Sequence, residues 1–320
     1  MNIDSAFIIS ILIITIRAGA SLLYATLGEI FTERAGIMNL GVEGIMIMGA
    51  ATSFSAAYYS DSAWLGLAVA ITVGGILGLI HAFLTITLRA DQVVSGLAMT
   101  IFGSGLASFM GQRLGPGQST MIGLQSPGFE RFSIPLLNQI PILGPSFFEQ
   151  DILVYFLYVL VPLLWFFMYK TRPGLKMRAV GENPRATDSM GINVARIRYF
   201  YTIFGAILVS IAGVHLSLGY LHGWAENITG GRGWIAIALV IFATWDPVRA
   251  VLGALLFGGI NSLQFRMQAA GTTIPASFLN MMPYIFTIIV LVVITWWEAF
   301  RKRIGAPAAL GLPYVREEKD

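Results

Sequence analysis

The segment RAVGENPRATDSMGINVARIR (178–198) runs straight into YFYTIFGAILVSIAGVHLSLGYL (199–221), and the change of composition between them decides the fold. The second stretch is apolar for about the 20 residues that an α-helix needs to cross ~30 Å of hydrocarbon. The first is basic and punctuated by turn and cap residues, so it belongs in water at the membrane face. Across all 320 residues, 56% are hydrophobic and only 12% charged, against about 25% charged in a soluble domain.

The apolar blocks read as nine spans: 6–27, 37–58, 63–88, 93–111, 152–169, 199–221, 233–245, 249–265 and 281–299. The seventh is short and reads as a broken or re-entrant helix. The expected fold is therefore an all-α polytopic membrane protein, with 1–320 forming a single transmembrane domain. The start, MNIDSAFIISILIITIRAGA, has no positive leading region and reads as the first span rather than a cleavable signal.

Orientation follows from the placement of Lys and Arg. With the N-terminus outside and the C-terminus cytoplasmic, 15 of the 20 basic residues fall in cytoplasmic segments: Arg34, Arg89, seven from Lys170 to Arg198, Arg249, and five from Arg301 onward. The external segments keep Arg113, Arg131, Arg232 and Arg266, and Arg17 lies within a span.

An internal echo accompanies this topology. GGILGLIHAF from Gly74 and GGINSLQFRM from Gly258 run in opposite directions across the membrane, as an inverted repeat would. Chance recurrence in a glycine-rich chain is the competing reading. Gly74 and Gly78 also read as a small-residue pair for close helix packing.

Within the cytoplasmic segment 170–198, Asn183 is a good N-cap, Pro184 suits the first helical position and Gly191 suits C′. The predicted helix, 184–190, is about 10 Å long and too short to be stable alone in water. It is either a solvated basic loop or an element held against something else.

Three ordered stretches carry a resemblance that favours the second reading. RAVGENPRATDSMGI resembles the cytoplasmic coupling segment of ABC-importer permeases in the ribose and branched-chain amino acid permease superfamily. LGEIFTERAGIMNLGVEGIMIMGA (27–50) and GRGWIAIALVIFATWDPVRAVLGALLFGG (231–259) are similar to the conserved blocks of its simple-sugar and nucleoside branch. One departure is Ala20-Ser21, where many relatives have Thr-Pro.

The resemblance implies that Gly181, Glu182, Asn183, Pro184, Arg185, Ala186 and Asp188 contact a separate ABC ATPase subunit, which carries the ATP and Mg; no cofactor is expected in this chain. It also implies a second permease chain, identical or homologous, and a soluble or lipid-anchored substrate-binding protein, in a bacterial cell (inner) membrane. The cargo implied is a nucleoside, with a simple sugar or riboflavin as alternatives. A secondary transporter working on an ion gradient is the competing class, and it leaves the capped helix unexplained.

Ionisable residues inside spans are functional candidates by default. Asn39 and Glu43 are four residues apart, on one face if the helix is continuous, and Gly36, Gly41 and Gly44 allow an unwound segment there. Glu43 is either a polar step in the substrate path or a structural group, satisfying Arg17 or capping a broken helix. Asn261 and Gln264 stand at the repeat position opposite as further pathway candidates. Glu33 and Arg34 read as interfacial, His81 as a satisfied core histidine, and Trp224 as part of the aromatic belt. The external loop 112–151 is too apolar for a solvated linker and is expected to pack over the outer mouth, with or without a binding protein as partner.

Catalytic motifs are lacking in the sequence: no G-x-x-x-x-G-K-[ST] loop, no H-E-x-x-H and no nucleophile elbow. Cysteine is absent, so thiolate catalysis and Cys-ligated metal are excluded. The basic residues are not interleaved with aromatics as a nucleic-acid surface requires.

Overall fold

The computed structural model of the chain describes residues 5–269, 274–301 and 305–315. Its helices are α1 (Ser5–Arg34), α2 (Val42–Ser60), α3 (Ala63–Ala82), α4 (Gln92–Arg113), α5 (Leu143–Phe148), α6 (Ile152–Lys170), α7 (Arg172–Glu182), α8 (Pro184–Ser189), α9 (Val194–Val214), α10 (Arg232–Phe242), α11 (Pro247–Ala269) and α12 (Ala276–Arg301). Helices α3 and α9 each end in a π-helical turn, Phe83–Thr87 and His215–Tyr220.

Among the described residues six helical segments are long and apolar enough to cross a membrane: Ile9–Arg34, Ala63–Thr87, Gln92–Arg113, Ile152–Lys170, Val194–Tyr220 and Pro247–Gln268. The three other expected spans fall on α2, α10 and α12. Helix α2 is buried along most of its length among α3, α4 and α9, so its Glu, Ser and Thr residues need not meet lipid. Helix α10, with 11 residues, is too short to cross.

Cap residues written in the sequence start many of these helices. The side chains of Ser62, Asp91, Asp151 and Asn193 accept from the amides of Leu65, Val94, Leu153 with Val154, and Arg196, respectively. Helix α1 runs unbroken through Ala20-Ser21, which suits a sequence with no proline there.

Helix α9 is the axis of the bundle, with α1, α2 and α3 packed along it. Small residues set the spacing. Gly28 of α1 meets the Gly205 carbonyl of α9, Gly44 of α2 meets α4 at Met99 and Thr100, and Gly74 and Gly78 of α3 meet Ser210 and Ala206 of α9. At Gly213 an added Cβ falls on the Met46 carbonyl of α2. Gly213→Leu is therefore expected to destabilise the protein by about 3 kcal/mol or more, the upper range for overpacking. Thermal unfolding of the purified variant in detergent measures it.

The basic end of the bundle carries Arg34, α7 and α8. At the opposite end, residues 114–150 form short turns, α5 and a two-residue antiparallel pair of β1 (Phe132–Ser133) with β2 (Glu149–Gln150). This segment closes over the end of α9: Phe129 N–H donates to the Leu218 carbonyl at 2.8 Å, and Gln125 bridges Gly223. Trp224 is buried here against Gly111, at 4% exposure, so it is a packing residue and not part of an exposed belt.

Candidate functional site: the helix breaks and the capped loop helix

Residues 35–41 do not continue either neighbouring helix; α1 stops at Arg34 and α2 starts at Val42. Gly36 at φ +88° makes the first bend, a conformation that costs other residues strain. Asn39 thus lies in the break, one turn before α2, and does not share a helical face with Glu43 as an unbroken helix would have it.

The backbone of the break is held by side chains from three helices, as backbone removed from water must be. The Asn39 amide donates to Glu29 Oε1 at 2.9 Å and the Met38 amide to Gln92 Oε1 at 2.7 Å. The Met38 carbonyl meets His81 Nε2 at 3.1 Å, while His81 Nδ1 meets Ser95. Thr100 donates to the Leu40 carbonyl at 2.9 Å, and the Asn39 side chain accepts from the Gly41 amide. His81 is the satisfied core histidine expected from its sequence context, and its task is to fix the break.

Glu43 sits in the first turn of α2 with 6% of its surface exposed. Its neighbour Gly44 faces Met99 and Thr100 of α4. Those residues are eight or nine positions beyond the Asp91 cap, about 12 Å along the helix at 1.5 Å per residue. The site therefore lies about two helical turns in from the capped end of α4.

The partners of Glu43 come from α10 and the residues before it. Oε1 accepts from Thr229 Oγ1 at 2.5 Å and from the Gly231 amide at 2.9 Å; Oε2 accepts from the Gly233 amide at 2.6 Å. Gly231, at φ +80°, is the N-cap position of α10 and carries no side-chain cap of its own. The carboxylate of Glu43 takes that role, satisfying free N-terminal amides and facing the positive end of the helix dipole. In this geometry Glu43 caps a helix that is not its own. Arg17 has other partners: it donates to the Gly219 carbonyl and lies over the Tyr220 ring at 5.4 Å.

Closer to the basic end, Glu33 is buried within the protein. Its Oε2 accepts from the Trp245 indole at 2.5 Å, and Arg34 donates to the Thr244 and Trp245 carbonyls at 3.3 Å. The end of α1 thereby grips the turn between α10 and α11. Asn261 is half-buried and Gln264 buried on α11, which packs along α1, α10 and α12, whereas α2, which carries Glu43, packs on α3, α4, α9 and α10. At the opposite end, Asp151 lies 3.6 Å from His215. Burial pushes the Asp151 carboxyl up, but His215, the Val154 amide and Arg17 outweigh it and hold the group below the usual carboxylate range.

The capped loop helix forms as its sequence predicts, as α8. The Asn183 side chain accepts from the Ala186 amide at 2.9 Å, Pro184 occupies the first turn, and Gly191 at φ +78° ends the helix with its amide on the Asp188 carbonyl. Glu182, Asn183, Arg185 and Ala186 are exposed, Pro184 and Asp188 half-buried, and Gly181 buried against the Arg34 carbonyl. Asn183→Ala is expected to cost about 1 kcal/mol of local stability by loss of the cap. Faster amide hydrogen exchange over 184–190 measures that loss.

Sequence reasoning missed α7, which starts from the Thr171 cap and Pro173 and buries Met177 and Val180. It also missed Met190, 79% exposed at the end of α8. The dipeptide Arg172-Pro173 after Thr171 was a readable helix start. Among the described residues no group of three or more His, Cys, Asp or Glu is placed to hold a metal ion.

Comparison with known proteins agrees with this architecture. Residues 11–301 match the family described as branched-chain amino acid transport system / permease component. A protein named as a glucose ABC transporter permease, TsgC13 of Haloferax volcanii, is 37% identical over 98% of this chain and 99% of its own. The nucleoside ABC transporter permease NupC of Lactococcus lactis is 36% identical over 93% of this chain and 94% of its own. The guanosine ABC transporter permease NupQ of Bacillus subtilis is 35% identical over 99% of this chain and 100% of its own. A solved inward-facing structure of a metal-chelate-type ABC transporter shares the fold, at TM-score 0.50 and 12% identity over 90% of this chain and 85% of that one. The chain belongs to the branched-chain amino acid transport system permease family and is a multi-pass, non-catalytic permease subunit of an ABC transporter.

Proposed function

We propose that this permease imports nucleosides. The observation that carries the reading is its similarity over almost the full length to NupC and NupQ, at 36% and 35% identity. TsgC13, at 37%, favours simple sugars as the second class; a nucleoside and a sugar share the hydroxylated ring that such a path must accept.

An inverted repeat whose expected seventh span, α10, is a broken, non-crossing helix suits the packing. Helix α3 lies along α9 through Gly74, and α11 lies along α1 through Gly258. Each half carries one break before a helix, 35–41 before α2 and 221–231 before α10. The N-terminus is outside and the C-terminus cytoplasmic, so the basic end with α7 and α8 faces the cytoplasm. Interrupted helices of opposite repeats at mid-membrane are a recurring setting for a transported solute.

In this reading ATP and Mg reside on the partner ATPase subunits. Closure of two ATPases draws together α8 of this chain and its counterpart in a second permease. Glu182, Asn183, Pro184, Arg185, Ala186 and Asp188 are the contact, and Gly181 packs its base onto α1. The two halves then rock about the Glu43 tie, and the path past Asn39, Glu43, Asn261 and Gln264 opens to one side and then the other. A binding protein delivers substrate at the outer mouth, where residues 112–151 lie.

Gentle purification of the chain from its native membrane tests the reading. An ATPase subunit is expected to accompany it in equal amount. A chain that arrives alone and still moves nucleoside down an ion gradient is a secondary transporter.

A further inference from the structure

Residues 305–315 return to the basic end and form a built turn. The Leu310 amide bonds to the Pro307 carbonyl at 2.9 Å and the Leu312 amide to the Ala309 carbonyl at 3.3 Å, with Gly311 at φ +78° between them. Pro307 and Ala309 are buried, and Leu310 packs against the main core.

Two hydrogen bonds pin this strap to elements already described. The Ala309 amide donates to the Gly181 carbonyl at 2.9 Å, one residue before the end of α7 and two before the Asn183 cap of α8. Arg198 of α9, only 2% exposed, donates to the Leu312 carbonyl at 3.1 Å. The bend at Gly36 lies against both the Arg198 guanidinium and the Ala309 carbonyl. One short segment thus touches the base of the capped helix and the first bend of the break that leads to Glu43.

Its outer side is not shaped for lipid or for water alone. Leu312 is 57% exposed, as are Leu175 of α7 at 58% and Met190 at 79%, among exposed Arg172, Lys176, Arg185 and Arg196. Tyr314 faces Asp188, Gly191 and Asn193 across a crevice of about 460 Å³. Apolar groups presented among exposed basic side chains beside α8 fit the surface of a soluble acidic protein.

We propose that the strap is a second docking element for the ATPase subunit, beside α8, and that it relays the ATPase's displacement to the Gly36 bend. This rests on the ATP-driven reading above. Pushing α8 alone moves a helix of six residues; pushing the strap moves α7, Arg198 and Gly36 together.

The test compares the full complex containing the native chain with two variants. Leu312→Glu alters an outward side chain and leaves in place the pinning bonds, which use the backbone of residues 309 and 312. It is expected to lower the ATPase retained on purification about fivefold or more, with an unchanged melting temperature. Ala309→Pro removes the amide that binds Gly181. It is expected to keep the ATPase while substrate-stimulated hydrolysis falls to the basal rate. Native retention and native stimulation in both variants overturn the strap while leaving the importer standing. Loss of binding to vesicles of anionic lipid, with ATPase retention unchanged, assigns the patch to the membrane surface and overturns it as well. If the native chain brings down no ATPase, it is the functional reading that fails.

Discussion

Glu43→Ala is expected to cost on the order of 3–5 kcal/mol, the range seen when one partner of a buried charged group is removed. The Thr229 hydroxyl and the Gly231 and Gly233 amides all bond this one carboxylate. Without it, two amides at the start of α10 face a buried space with no acceptor, each at about 1–3 kcal/mol. Net stabilities are only about 5–15 kcal/mol, so the variant should melt far below the native protein and assemble poorly. Glu43→Gln keeps one acceptor oxygen but turns an NH2 toward donors, so it should fall between the two and transport more slowly. Thermal unfolding and uptake, measured side by side, check the order native, Gln, Ala. An alanine variant with native melting and native uptake removes Glu43 from the tie.

Pro184→Gly together with Asp188→Arg is expected to separate hydrolysis from transport. Proline presets the first turn of a helix with six residues, and glycine there restores the backbone freedom that such a short helix cannot offset. Asp188 borders the crevice shared with Arg89 and Asn193, and its reversal to arginine places two cations there. Because α8 packs on its neighbours α7 and α9 and not among the long helices α1 to α4, folding of the bundle should persist. Uptake should fall about tenfold or more, the effect of losing ~1.4 kcal/mol of coupling, while basal hydrolysis continues. Normal uptake with normal substrate-stimulated hydrolysis contradicts the assignment of α8 as the transmitting element.

The features legible in the sequence were those set by near neighbours. Asn183, Pro184 and Gly191 lie within one short segment, and the helix they delimit is the helix that forms. The apolar runs located the long helices for the same reason, since length and composition are local properties. Glycines at 36, 41 and 44 signalled a break, but not its end, which depends on Gln92, His81 and Thr100 reaching in from α3 and α4.

The partners of Glu43 were illegible because they lie 186 to 190 residues away. The acceptor role of Glu33 was equally hidden, because its donor Trp245 lies 212 residues on. Trp224 was read from its rank as a large aromatic near a span end, whereas the notch at Gly111 that buries it belongs to another helix. Long-range closure made these sites, and a window of local pattern does not contain it.

Uptake of labelled guanosine, uridine, glucose and riboflavin, by cells with this chain present or deleted and with the partner ATPase active or inactivated, tests the central claim most directly. The account predicts nucleoside uptake that disappears in both cases, deletion of the chain and inactivation of the ATPase. Nucleoside uptake that needs this chain but survives inactivation of the ATPase contradicts it.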